Sequence, residues 1–209
     1  MTIHCPVIII ILLLFFIIQL TILERSKKMN LKIRDITIIA IFTALTAILA
    51  QISIPLPFSP VPITLQVMAV YISAIILGSR LGTLSQIIYI LLGAIGIPIF
   101  VNFQGGLNVV FGPSGGYLIS YPIVAFIVGK ISDKSLSHIQ STTLLITSLL
   151  ICYGMGIVQL SFITNIAIKK ALVIGVLPFI PLDIIKIALA YLLGGKVRMA
   201  LIKTHLIKC

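Results

Sequence analysis

The sequence predicts an all-α integral membrane protein, a bundle of six transmembrane helices preceded by one further hydrophobic segment. Three observations predict it: composition, the spacing of apolar runs, and the placement of charge. The 209 residues are 60% hydrophobic and 9% charged, with a mean hydropathy of +1.27. Soluble domains are about 45–50% apolar and about 25% charged, so this chain could not cover a soluble surface. A hydrocarbon span takes about 20 apolar residues, which leaves room for six or seven spans with short links. Collagen, a disulfide scaffold and a disordered tail fail on the same composition.

In chain order, the first apolar run is 7–23, VIIIILLLFFIIQLTIL, followed by Glu24, Arg25, Lys27 and Lys28. It reaches about 25 Å as helix, barely a span. Its basic residues follow the run and no small-residue cleavage site appears, which argues against a secretory signal. Met29 opens MNLKIRD, which reads as a natural cytoplasmic start. Residues 1–28 are thus an extension, either an anchor forming a seventh helix or a stretch outside the native unit. Residues 29–196 hold the six-helix domain, and 197–209 form a basic tail.

The six spans are predicted at about Ile36–Ile54, Leu65–Gly78, Gly82–Phe100, Gly116–Ile131, Thr142–Asn165 and Val173–Leu193. Between the first two lies IPLPFSPVPITLQ, whose alternate prolines deny helix and favour extended or polyproline-like backbone. Gly78-Ser-Arg-Leu-Gly82 reads as a tight turn. The uncharged, glycine-rich stretch PIFVNFQGGLNVVFGPSGG separates the third and fourth spans. Irregular backbone of that kind survives at membrane depth only where protein buries it or a cavity hydrates it.

Charge sets the orientation. The chain carries 15 Lys and Arg against 4 Asp and Glu. With the loop before the first span cytoplasmic, six spans place twelve basic residues inside, Lys169 and Lys170 outside, and Lys186 within a span. That is a strong positive-inside bias and predicts a cell-membrane protein with a cytoplasmic C-terminus. The basic residues flank spans rather than interleaving with aromatics on one face, so nucleic acid is not an expected partner. Cys5, Cys152 and Cys209 are far apart and lack ligand spacing, so neither a disulfide framework nor a metal site is expected. LLGGKVR and GKISDKS lack the glycine placement of a phosphate-binding loop, and no hydrolase constellation occurs. The chain is expected to be no enzyme and to hold no cofactor or catalytic residue.

Asp183 and Lys186, in LPFIPLDIIKIALAYLLGG, are an acid and a base set in apolar surroundings. Their i,i+3 spacing puts them on one helical face. Charges at membrane depth cost several kcal/mol even on mild scales, so they pair or line a cavity. Pro181 suits the first helical turn and Asp183 the positive end of the helix dipole. The pair reads either as a ligand site near the outer face or as an ion pair that only stabilises the bundle. Asn102, Gln104 and Asn108 offer donors and acceptors for a neutral polar head, with Phe103 and Tyr117 as flat walls. For Asn108 a turn-capping role is the better reading. Gln66 and Tyr89 project from spans toward a pocket or a neighbour. Ala40, Ala44 and Ala47 form a stripe of small residues suited to close helix approach in lipid.

PVPITLQ (Pro60–Gln66), LGSRLGTLSQIIYILLGAIGIPIF (Leu77–Phe100), GPSGGYLISYP (Gly112–Pro122) and LPFIPLDIIK (Leu177–Lys186) closely resemble the BioY family. These are the biotin-specific S-components, or substrate-capture subunits, of energy-coupling factor (ECF) transporters. The likeness covers about Met29 to Gly195 and leaves the N-terminal segment without a counterpart. It implies a six-helix S-component bundle that binds biotin with high affinity from outside. It also implies partners: a transmembrane coupling subunit and two ATP-hydrolysing subunits. On that resemblance Asn102, Asp183 and Lys186 surround biotin with Tyr117 nearby, and Ala40, Ala44 and Ala47 dock the coupling subunit. The reading of the glycine-rich loop adds Gln104 to the expected substrate-binding set. The alternative is a stand-alone, proton-linked vitamin transporter using Asp183 as its relay; a ligand-free membrane scaffold is a further possibility.

Overall fold

The computed structural model describes residues 32–134 and 136–204. The N-terminal extension, with its hydrophobic run, and residues 205–209 of the basic tail lie outside the described residues. The elements run α1 (Ile33–Gln51), β1 (Ser53–Leu56), β2 (Ser59–Thr64), α2 (Gln66–Ala94), a 3-10 turn (Val101–Phe103), α3 (Leu107–Val110), α4 (Gly115–Asp133), α5 (His138–Thr164), α6 (Ile168–Gly175) and α7 (Ile180–Lys203).

The 29 residues of α2 are not one rod, because Gly78 breaks them with φ +81° and ψ −179°. Gln66 Nε2 reaches Tyr89 Oη at 2.7 Å and Gln86 Nε2 reaches Ser73 Oγ at 3.0 Å. Residues 23 apart in a straight helix would stand about 34 Å apart. The helix therefore folds back at Gly78, and its arms are the second and third predicted spans. That left-handed φ favours a residue without Cβ, and a Cβ there would also meet Asp133 Oδ1 at 2.2 Å. Asp133 fastens the turn, accepting from Ser79 N at 3.0 Å and from Ser79 Oγ.

Among the described residues four helices are individually long and apolar enough to cross a membrane: α1, α2, α4 and α5. The bent pair α6–α7, angled by 54°, adds another. With the two arms of α2 counted separately, six spans result, and the chain is a multi-pass membrane protein. The last predicted span, Val173–Leu193, is displaced: it starts inside α6 and crosses the break at 176–179. Pro178 and Pro181 interrupt the helix, and α7 begins at Ile180 with Pro181 in its first turn. The helix then runs on through Lys203, so residues 197–203 are helical.

The hairpin α2 is the hub, packing against α1, α4 and α7, while α5 packs on α4 and α6 on α5. Tyr71, Val70, Val124, Val128 and Ala125 sit fully buried in this core. The Pro-rich segment is extended as expected and pairs with itself as the antiparallel hairpin β1–β2, with Ser53 opposite Thr64 and Leu56 opposite Ser59. Pro60 and Pro62 occupy a two-stranded edge where absent N–H groups cost no ladder bond.

The two ends of the bundle differ in charge. One end gathers the start of α1, the turn of α2 and the ends of α4 and α7, bearing Lys32, Arg34, Arg80, Lys130, Lys134, Lys196, Arg198 and Lys203. There Arg198 donates to the carbonyls of Ile76 and Ser132, tying α7 to α2 and α4. The opposite end holds the β-hairpin, the glycine-rich loop and the start of α7.

Candidate functional site

Asp183 and Lys186 are 2% and 6% exposed, the charged residues buried among those described. The helix start at Ile180 places Asp183 in the first turn of α7 and brings Lys186 onto the same face. Lys186 Nζ donates to Asp183 Oδ1 at 2.8 Å. Tyr153 Oη, from the middle of α5, donates to Asp183 Oδ2 at 2.8 Å. The carboxylate is thereby fixed in rotation by two donors from two helices, yet each oxygen retains acceptor capacity.

This triad faces a cavity of about 180 Å³ at the β-hairpin end of the bundle. Asp183, Lys186, Asn102, Gln104 and Tyr117 all line it, so the structure brings the five predicted ligand residues together. They do not hold equal positions. Asp183 and Lys186, with Tyr153, form the buried floor and Tyr117 is buried beside them, whereas Asn102 and Gln104 stand at the exposed mouth. Tyr117 Oη donates to the Gly175 carbonyl at 2.7 Å, so its ring forms a wall while its hydroxyl pins the end of α6. Asn108 is exposed and is not among the lining residues.

The walls come from every element at this end. Pro60, Val61 and Pro62 of β2 form a roof, Phe100 and Phe179 add apolar faces, and Tyr121 closes the side. Gln66, at the start of α2, lines the cavity and passes a hydrogen bond through Tyr89 to the Ile99 carbonyl, 2.7 and then 3.1 Å. Sequence reasoning singled out Gln66 and Tyr89 without assigning them, and it missed Tyr153 and Gln51. Tyr153 stands in an apolar span where a tyrosine reads as core. Its signal is spatial: a buried hydroxyl needs an acceptor, and the nearest is Asp183.

Asn102 is set by an unusual local backbone. Asn102 and Phe103 both adopt left-handed angles, φ +56° and +55°. Ser53 Oγ of β1 donates to Asn102 Oδ1 at 3.0 Å, joining the β-hairpin to the glycine-rich loop. On the other side of the loop, Phe100 is seated edge-on against Tyr89 with centroids 5.5 Å apart. Its ring fills the space over Gly93, where a Cβ would lie 2.1 Å from the ring.

On α1, Ala44 is exposed, while Ala40 and Ala47 are half-buried. Ile33, Ile41 and Ile48 flank them on the outer face at 73%, 58% and 63% exposure. Among the described residues no group of three His, Cys, Asp or Glu is placed to hold a metal.

A bundle of six spans with a charged, tyrosine-braced pair at the floor of a small cavity near one membrane face defines a class: a membrane-embedded solute-capturing component of a transporter. The chain belongs to the BioY family, whose model matches residues 24–203. It is 42% identical to the biotin transporter BioY of Thermotoga maritima, covering 76% of this chain and 92% of that one. It is 40% identical to the probable biotin transporter BioY of Pyrococcus horikoshii, over 80% of this chain and 98% of the relative. The crystal structure of the S-component for biotin from an ECF-type ABC transporter superposes with a TM-score of 0.74 at 32% identity, covering 81% of this chain and 93% of that one. The six-span S-component fold expected from sequence is therefore borne out.

Proposed function

We propose that this chain captures biotin from outside the cell and delivers it inward as the substrate-binding subunit of an ATP-driven ECF transporter. One observation carries the reading: the Asp183–Lys186 pair is buried at the floor of a cavity with apolar, aromatic and uncharged polar walls, braced by Tyr153. Biotin presents a ureido ring, an apolar thiophane with a valerate chain, and a carboxylate. Asp183 accepts from ureido N–H groups, and Lys186 completes the polar network or meets the carboxylate. Asn102 and Gln104 at the mouth bond the remaining polar end, and Tyr117 with Phe100 and Phe179 encloses the apolar middle. A ligand under the β-hairpin is shielded from water, which strengthens each of these contacts.

The basic end of the bundle faces the cytoplasm by the positive-inside bias, and the C-terminus lies there too. The outer face of α1 around Ala40, Ala44 and Ala47 docks the transmembrane coupling subunit, because small side chains let helices approach closely in lipid. Two ATPase subunits supply the energy on the cytoplasmic side. The relatives are transporters, and this chain has no phosphate-binding loop of its own.

The test is uptake of labelled biotin by cells producing this chain together with the coupling and ATPase subunits. Uptake stops when the ATPase is inactivated and continues when the proton gradient alone is collapsed. The opposite pattern assigns the chain to proton-linked transport.

A further inference from the structure

Gln51, the last residue of α1, directs both ends of its side-chain amide to the glycine-rich loop. Its Nε2 lies 3.2 Å from the Ile99 carbonyl and 3.0 Å from the Phe100 carbonyl, with a third contact of 3.1 Å to Ala47 of its own helix. Its Oε1 accepts the Phe103 N–H at 2.9 Å. One side chain from a different element thus holds the approach to the left-handed Asn102–Phe103 turn and the peptide inside it. A left-handed phenylalanine persists only where its surroundings over-determine it. The backbone closes the turn, with Phe100 N donating to the Gln104 carbonyl at 2.9 Å and Gln104 N to the Val101 carbonyl at 3.2 Å. Gln51 adds the side-chain contacts that tie the approach and the centre of the turn to α1. α1 itself is peripheral: it approaches the hairpin α2, the 3-10 turn and β2, and most of its outer face is exposed.

We infer that Gln51 is a positioning residue: it locks the turn that presents Asn102 to the cavity, and so makes ligand affinity depend on where α1 sits. A shift of α1 away from the loop withdraws the clamp, frees the turn and removes Asn102 from the ligand, while the Asp183–Lys186–Tyr153 floor stays intact. The inference rests on the biotin-capture reading for its ligand but not for its geometry.

Two measurements on the purified full chain test it. The first is hydrogen exchange of the ligand-free protein. In Gln51→Leu the amides of residues 99–104 exchange at least tenfold faster while those of α4 and α7 keep their protection. Unchanged exchange at 99–104, or a general loss of protection, overturns the clamp. The second is a double-mutant cycle on biotin dissociation with Gln51→Leu and Asn102→Ala. If Gln51 acts through Asn102, each variant speeds release about tenfold and the double variant is no faster than Asn102→Ala. Multiplied effects overturn the coupling and leave Gln51 a general packing residue. If the wild type binds no biotin while Gln51→Leu still shows the exchange change, the capture reading is refuted and the clamp stands.

Discussion

Tyr153 of α5 donates its hydroxyl to the Oδ2 of Asp183 on α7 at 2.8 Å, with both residues buried. That bond, with Lys186 on Oδ1, turns an isolated intramembrane carboxylate into a fixed acceptor facing a cavity. On the proposed reading, an acceptor held in one orientation before the ligand arrives costs little reorganisation on binding, and here helical residues rather than the loop hold it.

Tyr153→Phe removes the hydroxyl and leaves the ring to fill its space. A hydrogen bond to a charged group contributes about 1.5–3 kcal/mol, so biotin affinity should fall by about tenfold or more. The protein should remain monodisperse in detergent. Titration with labelled biotin beside a size-exclusion profile checks both; affinity equal to wild type would remove Tyr153 from the site.

Lys186→Met leaves a buried carboxylate with only its Tyr153 partner. Breaking one half of a buried pair costs about 3–5 kcal/mol, whereas replacing both halves is often nearly neutral. Thermal unfolding should therefore show Lys186→Met strongly destabilised and the double variant Asp183→Asn with Lys186→Met close to wild type. The double variant should still bind no biotin. A double variant that binds normally would reduce the pair to a structural brace.

Ala44→Trp projects a bulky side chain from the exposed outer face of α1. Biotin binding to the isolated chain should be retained, and uptake by the assembled transporter should be lost. Parallel binding and uptake assays decide the matter; loss of both activities would point to misfolding of α1 instead of a blocked docking face.

Gly93→Ala places a methyl where the Phe100 ring now lies, at 2.1 Å. Overpacking of this kind costs about 1–3 kcal/mol, and here the displaced ring carries the start of the Asn102 loop with it. The variant should lose both thermal stability and biotin affinity. Unaltered affinity would show that Phe100 does not hold the loop in place.

Much of this architecture was legible in the sequence because lipid imposes simple rules. Asp183 and Lys186 stood out since an acid and a base three positions apart inside an apolar run must be accounted for. Gly78 and Gly82 marked the fold-back of α2, and the prolines of 55–62 marked extended chain. The pairing of that chain into a β-hairpin was not legible, because its partner strand is fixed by register rather than by residue type. Tyr153 and Gln51 escaped for a related reason. Each is a single polar residue in or at the end of an apolar helix, and its partner lies 30 or about 50 positions away in sequence. The start of the last span was displaced because hydropathy runs unbroken across Val173–Leu193, while Pro178 and Pro181 cut the helix within it.

The most direct test of the central claim is equilibrium binding of labelled biotin to the purified full-length protein in detergent, with Asp183→Asn measured in parallel. The account predicts tight, stoichiometric binding by the wild type and a loss of at least a hundredfold in the variant, with both proteins folded. Equal binding by the two would contradict the site, and no binding by folded wild-type protein would contradict the function.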